Sequence, residues 1–179
     1  LEVLMSFTFL GYIHLPPISI TIAYIPIIIA ASLLGKAQST YVSLVFGLAS
    51  MFKASANYVM ADDKIFSPFQ SGYPVKSILL SVGSRVLFGF LVGLLYDLAN
   101  KSRHSGLWRA AISAIATRFN AFFVYLAMGI LFPEHGYTFM NTFKLRPGDA
   151  AMAVLCICLV ELCYRAYNSS TVKHLKHNI

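Results

Sequence analysis

The sequence predicts an all-α membrane protein, a compact bundle of six transmembrane helices with cytoplasmic termini, and three observations predict it. Of 179 residues, 58% are hydrophobic and only 12% charged, where a soluble domain carries roughly 25% charged residues. Between Glu2 and Lys36, 33 residues pass without Asp, Glu, Lys or Arg. Lysine and arginine are also shared unevenly between the loops. A soluble domain of about 150 residues still leaves roughly a third of its unfolded surface in water, so it could not hide this much hydrocarbon. Composition therefore excludes a soluble enzyme, a disordered chain and a disulfide-stapled secreted module. Residues 1–179 read as a single integral membrane domain.

A bilayer core about 30 Å thick takes roughly 20 helical residues, so the first uncharged run is too long for one span. Gly11 and the pair Pro16-Pro17 divide it, because proline removes a backbone donor and disfavours helix in the residue before it. The expected spans are 1–14, 18–34, 39–56, 77–100, 107–132 and 148–167. The first reaches only about 20 Å at 1.5 Å per residue. The chain starts with Leu1 rather than Met, and the expectation is that this helix begins upstream of it.

Orientation follows from the basic residues, which favour the cytoplasmic side. One side holds Lys36, Lys101, Arg103, Arg109, Arg165, Lys173 and Lys176. The other holds Lys64, Lys76, Lys144 and Arg146, offset by Asp62, Asp63, Glu134 and Asp149. The first side is assigned to the cytoplasm. Topology and contact with anionic lipid then account for most of the net charge of +7. A nucleic-acid partner would call for basic residues interleaved with aromatics on a folded surface, and that pattern is missing. The outer loops, Asn57 to Lys76 and Pro133 to Pro147, are longer than the inner ones and carry Tyr58, Phe66, Phe69, Gln70 and Tyr73, then His135, Tyr137, Phe139, Asn141 and Phe143. Loops of this length are commonly functional, so they are expected to act as lids over an outward-facing pocket. The alternative is a plain interfacial aromatic belt.

Small and polar residues line the third span as Ser39, Ser43, Gly47, Ser50, Ala54 and Asn57, and the fourth as Ser77, Ser81, Arg85, Gly89, Gly93 and Asp97. Such rows let helix backbones approach closely in a membrane. Ala30, Ala31 and Gly47 are expected to meet a partner membrane protein. Arginine inside a span costs at least about 2.5 kcal/mol on insertion scales, so Arg85 and Arg118 should face a cavity or a partner. Asn120 near Arg118, and Lys53 on the outer half of the third span, join them as substrate-binding candidates, with Tyr24, Asn57, Phe69 and Gln70. Arginine offers a fork for carboxylate or phosphate, and asparagine both a donor and an acceptor for an amide or hydroxyl. Structural pairing or snorkelling remains the alternative. Glu161 and Arg165, four apart, read as an ion pair on the helix surface.

No catalytic residues are assigned. Cys156, Cys158 and Cys163 lack CxxC spacing and read as buried apolar residues. There is no HExxH, Walker loop or GxSxG elbow, hence no metal, cofactor or nucleotide site. Any ATP-driven work requires another subunit.

The runs Leu10-Gly11-Tyr12-Ile13-His14-Leu15-Pro16-Pro17, Ala23-Tyr24-Ile25-Pro26-Ile27-Ile28-Ile29-Ala30 and Leu33-Leu34-Gly35 resemble the substrate-binding S component of energy-coupling-factor (ECF) vitamin transporters. So do Leu44-Val45-Phe46-Gly47-Leu48-Ala49-Ser50, Phe66-Ser67-Pro68-Phe69, Arg85-Val86-Leu87-Phe88-Gly89 and Gly93-Leu94-Leu95-Tyr96. The resemblance spans residues 10 to 133 and implies six helices and a vitamin pocket near the outer face, gated by outer loops. It also implies a complex with a transmembrane coupling subunit and two ATP-binding subunits in a bacterial cell membrane. The subgroup containing pantothenate transporters is the most similar in pattern. Where that subgroup has His-Ile-Pro after two threonines, this chain reads Thr21-Ile22-Ala23-Tyr24-Ile25-Pro26, which leaves pantothenate, cobalamin and other vitamins open, the first two favoured. Two rivals stay in view. An intramembrane enzyme would need a paired nucleophile and base; a structural or channel subunit would show a polar row through the full membrane depth.

Overall fold

The computed structural model describes residues 12–15, 18–21, 24–56, 61–136, 140 and 148–169. Most of the expected first span, together with Asn57 and most of the second outer loop, lies outside the described residues. On either side of Pro16-Pro17 the expectation of helix is corrected: β1 (Tyr12–Leu15) and β2 (Ile18–Thr21) pair antiparallel, with Leu15 opposite Ile18. Ile13, Ile18, Ile20 and Thr21 are β-branched and suit a pleated strand. The two prolines between the strands supply no N–H for a continuing helix.

Helices follow: α1 (Ile25–Leu34), α2 (Lys36–Ala56), α3 (Pro74–Ala99), α4 (Ser105–Leu131) and α5 (Asp149–Asn168). A 3₁₀ turn, Ala61–Phe66, lies between α2 and α3. The spans expected at 77–100, 107–132 and 148–167 coincide with α3, α4 and α5, each long and apolar enough to cross a membrane. The chain is thus a helical, multi-pass membrane protein. The span expected at 39–56 lies on α2, whose 21 residues are diluted by serines and alanines and by Lys53. The span expected at 18–34 is helical only from Ile25, where Pro26 sits at the position in a helix that tolerates it best.

α1 and α2 are separated by Gly35 alone, at φ +85°, a conformation L side chains rarely adopt. Asp97 closes this corner. Its Oδ2 accepts the Lys36 N–H at 3.4 Å, which puts a carboxylate at the positive end of α2.

The small-residue rows meet each other. A Cβ at Gly89 would collide with the Ser43 side chain and lie 2.7 Å from the Ser39 carbonyl oxygen; one at Gly93 would collide with Lys36 and Ser39; one at Gly47 would sit 2.9 Å from Val82 Cα. Ser39 Oγ donates to the Gly89 carbonyl at 2.9 Å. α2 and α3 therefore pack backbone against backbone, the arrangement small residues permit in a membrane. Of the residues expected on the partner face, Ala31 is fully buried, Ala30 nearly so, and Gly47 is covered by α3. Their small size serves contacts inside the chain.

Two apolar clusters form the core. The larger gathers Tyr24, Ile27, Ile28 and Ala31 of the α1 region, Phe46, then Phe88, Val92 and Tyr96, with Cys156 and Val160 of α5. The smaller holds Ile65, Leu80, Met128 and Phe132. Cys156 is buried as expected, whereas Cys158 faces outward.

Candidate functional site

Polar side chains occupy the level between the two clusters. On α3, Ser81, Ser84 and Arg85 fall between Leu80 of the smaller cluster and Phe88 of the larger. On α4, Asn120 follows Ala116 of the larger cluster by four residues and precedes Val124, which packs on the smaller, by four. Residues four apart share one helix face. Sequence reasoning singled out Arg85 and Asn120; the structure sets both at this boundary.

Arg85 is shaped by a local irregularity that the sequence did not signal. α3 widens to a π turn over Leu79–Gly83, and the Ser84 N–H reaches the Leu79 carbonyl. The Leu80 carbonyl accepts instead from Ser84 Oγ at 2.5 Å and from Arg85 Nη1 at 3.4 Å, and Arg85 Nη1 also donates to Ser84 Oγ at 3.1 Å. Single π turns of this kind recur at functional sites. The guanidinium carbon lies 5.7 Å from the Phe46 ring centre and 5.3 Å from that of Phe66, so a buried cation is flanked by one ring from each cluster's surroundings.

Asn120 is different. Its Oδ1 is buried and has no hydrogen-bond partner among the described residues. An amide oxygen in such a place costs free energy unless a donor reaches it.

Arg118 has a carboxylate partner that sequence reasoning missed. Its Nη2 donates to Asp149 Oδ2 at 2.6 Å. The sequence places Asp149 only among the outer-loop charges, although an arginine within a span calls for an anion. Farther along, Arg109 meets Glu161 at 3.5 Å, and Arg165 bonds Glu161 at 2.9 Å; the expected Glu161–Arg165 pair is present with Arg109 as a third member. These contacts align α4 and α5 antiparallel and start α5 at the level of Arg118. About 13 further residues of α4 then run past that level, roughly 20 Å of helix. Tyr24, at the start of α1, is buried within electrostatic reach of Arg118 and Asp149. The Arg118–Asp149 pair and Tyr24 thus lie at a common depth where two helices begin.

The remaining candidates lie apart from this layer. Lys53 is half-buried in the last turn of α2. Phe69 is 86% exposed, and Gln70 donates from Nε2 to the Ser55 carbonyl at 3.2 Å. Asn57 lies outside the described residues. The loop around Phe69 and Gln70 is tied to its neighbours: Ser67 Oγ meets Ser55 Oγ at 3.0 Å, Ser81 Oγ donates to the Phe66 carbonyl at 2.7 Å, and Ile65 is buried. Tyr73 packs edge-on to Phe132, and the Lys76 ammonium lies 4.6 Å from the Tyr73 ring centre. The segment 61–73 is therefore a built cap over the smaller cluster rather than a structureless loop.

Among the described residues no group of three His, Cys, Asp or Glu side chains could hold a metal ion. Each of these groups suits recognition: Arg85 is a buried cation, Asn120 Oδ1 a buried acceptor, and Arg118–Asp149 an ion pair. No curated protein and no solved structure matches this chain. A family model described as "ECF transporter, substrate-specific component" matches residues 1–175.

Proposed function

The chain belongs to the family of substrate-specific components of ECF transporters, and from that membership we propose that it captures a water-soluble vitamin outside the cell, pantothenate or cobalamin being favoured. The protein is a non-catalytic, substrate-binding component in a bacterial membrane. Membership implies a transmembrane coupling subunit and ATP-binding subunits as its partners.

The observation that carries the binding reading is the Asn120 Oδ1, a buried acceptor with no donor among the described residues. In this reading a vitamin hydroxyl or amide N–H supplies that donor, and Arg85 attracts a carboxylate or phosphate. Pantothenate carries a carboxylate, an amide and hydroxyls, which suits both residues. Arg118, held by Asp149, and Tyr24 form the floor; Lys53, Phe69 and Gln70 form the outer rim, with the 61–73 cap as the gate. The basic loop at 101–103 is assigned to the cytoplasm, so the cap faces outward. Native mass spectrometry of the detergent-purified chain identifies the retained molecule, and titration calorimetry with pantothenate and with cobalamin ranks the two. Absence of binding heat with every water-soluble vitamin tried, and no retained small molecule, would overturn the vitamin reading.

A further inference from the structure

We propose that the groove between the end of α3 and the start of α4 binds an anionic phospholipid. It holds about 520 Å³ and is lined almost entirely by hydrocarbon, chiefly Leu95, Leu98, Trp108, Ile112, Ile115 and Phe119. Leu98, Trp108 and Ile115 are 57%, 53% and 52% exposed, so the groove opens sideways toward the bilayer. From Trp108 to Phe119 it follows roughly 16 Å of α4. That is about half of a 30 Å hydrocarbon core, the depth of an acyl chain from one leaflet.

Charge at the mouth selects the headgroup. Ser102 lines the groove, and its neighbours Lys101 and Arg103 are exposed. Neither has a carboxylate within ion-pair distance among the described residues. The turn that carries them is fixed, with the Lys101 N–H on the Leu98 carbonyl at 3.2 Å and the Ser102 N–H on the Ala99 carbonyl at 3.0 Å. His104 adds a third exposed group of basic type. Two exposed cations on a fixed turn beside a chain-length apolar slot match a phosphate-bearing, net-negative lipid better than a zwitterionic one, whose own cation they repel. A partner's transmembrane helix would use the apolar wall but not this charge. The inference is independent of which vitamin the protein binds.

Trp108 is the single tryptophan of the chain and reports from inside the groove. The full chain is reconstituted in phosphatidylcholine vesicles with trace brominated-tail phosphatidylglycerol or, in parallel, brominated-tail phosphatidylcholine. Brominated phosphatidylglycerol should quench Trp108 at a mole fraction roughly five- to thirtyfold lower, the preference expected of one to two basic residues near an anionic headgroup. The double variant Lys101→Gln with Arg103→Gln should bring the two lipids together, whereas Lys36→Gln, away from the groove, should leave the preference intact. Raising the salt concentration should shrink the preference in the unmodified chain, a readout independent of how the variants fold. Equal quenching by both lipids, a preference that survives the double variant or high salt, or an equal loss in Lys36→Gln would each overturn the proposal.

Discussion

A buried amide oxygen left without a donor costs roughly 1–3 kcal/mol, and Asn120 Oδ1 has no donor among the described residues. Asn120→Ala separates a binding role from a structural one. It should weaken affinity for the substrate by about 1–3 kcal/mol while leaving thermal stability in detergent unchanged or raised, because it removes an acceptor that no described residue satisfies. Calorimetry and a melting curve on the same preparation check both halves. Arg118 and Asp149 should behave in the opposite way. Each is part-buried and bonded to the other at 2.6 Å, so either single alanine variant removes this contact, and a charge-assisted hydrogen bond of this kind is worth about 1.5–3 kcal/mol. The double alanine variant should therefore melt higher than the sum of the single losses predicts. Strict additivity across that cycle would show that the pair contributes no coupling.

At the scale of elements, the α2–α3 contact depends on the absence of side chains. Gly89→Val places atoms where Ser43 and the Ser39 carbonyl already lie; overpacking typically costs about 1–3 kcal/mol, and two backbones in contact have little room to yield. Gly83→Ala is the control, since its Cβ would meet only Leu79 Cδ2 at 3.9 Å. The expected outcome is a clear fall in melting temperature for the first and none for the second. The cap over 61–73 makes a separate prediction. Its hydrogen bonds to Ser55 and Ser81 and its exposed Phe69 describe a segment that can close further on a ligand. Amide exchange in 64–73 should slow when the bound vitamin is added; identical exchange with and without a vitamin shown to bind would leave the segment as a fixed interfacial belt. The spacing of small residues made close helix packing legible in the sequence, though not that the two rows pack on each other. The π turn and the hairpin were not legible, because each depends on where neighbouring backbone groups find partners.

For the whole molecule, family membership implies that binding and energy supply sit in different chains. The sequence holds no Walker loop, and the site layer recognises rather than reacts. Cells lacking the ATP-binding subunits should lose vitamin accumulation through this protein, while the purified chain alone still binds its vitamin with full affinity. Uptake assays beside calorimetry check this, and full-rate accumulation without any such ATPase would contradict the assignment. Ala31 and Gly47 are enclosed by the chain's own helices.

Membrane residence, the helical character of residues 36–168 outside their loops, and the family were determined by the sequence alone. Each depends on quantities that sum along the chain: apolar content, uncharged run length and ordered short motifs. The sequence also marked Arg85, Arg118 and Asn120, because a polar group within an apolar span is costly wherever it ends up. Only the tertiary structure decided what satisfies each of them. Arg118 met Asp149, 31 residues away; Arg85 found a carbonyl at a π turn; Asn120 Oδ1 found no partner among the described residues. It likewise turned Ala31 and Gly47 inward, where the spacing had allowed either direction. The physical reason is that a hydrogen bond or an ion pair needs a second group within about 3 Å, and the helix that supplies it is chosen by packing rather than by neighbourhood along the chain.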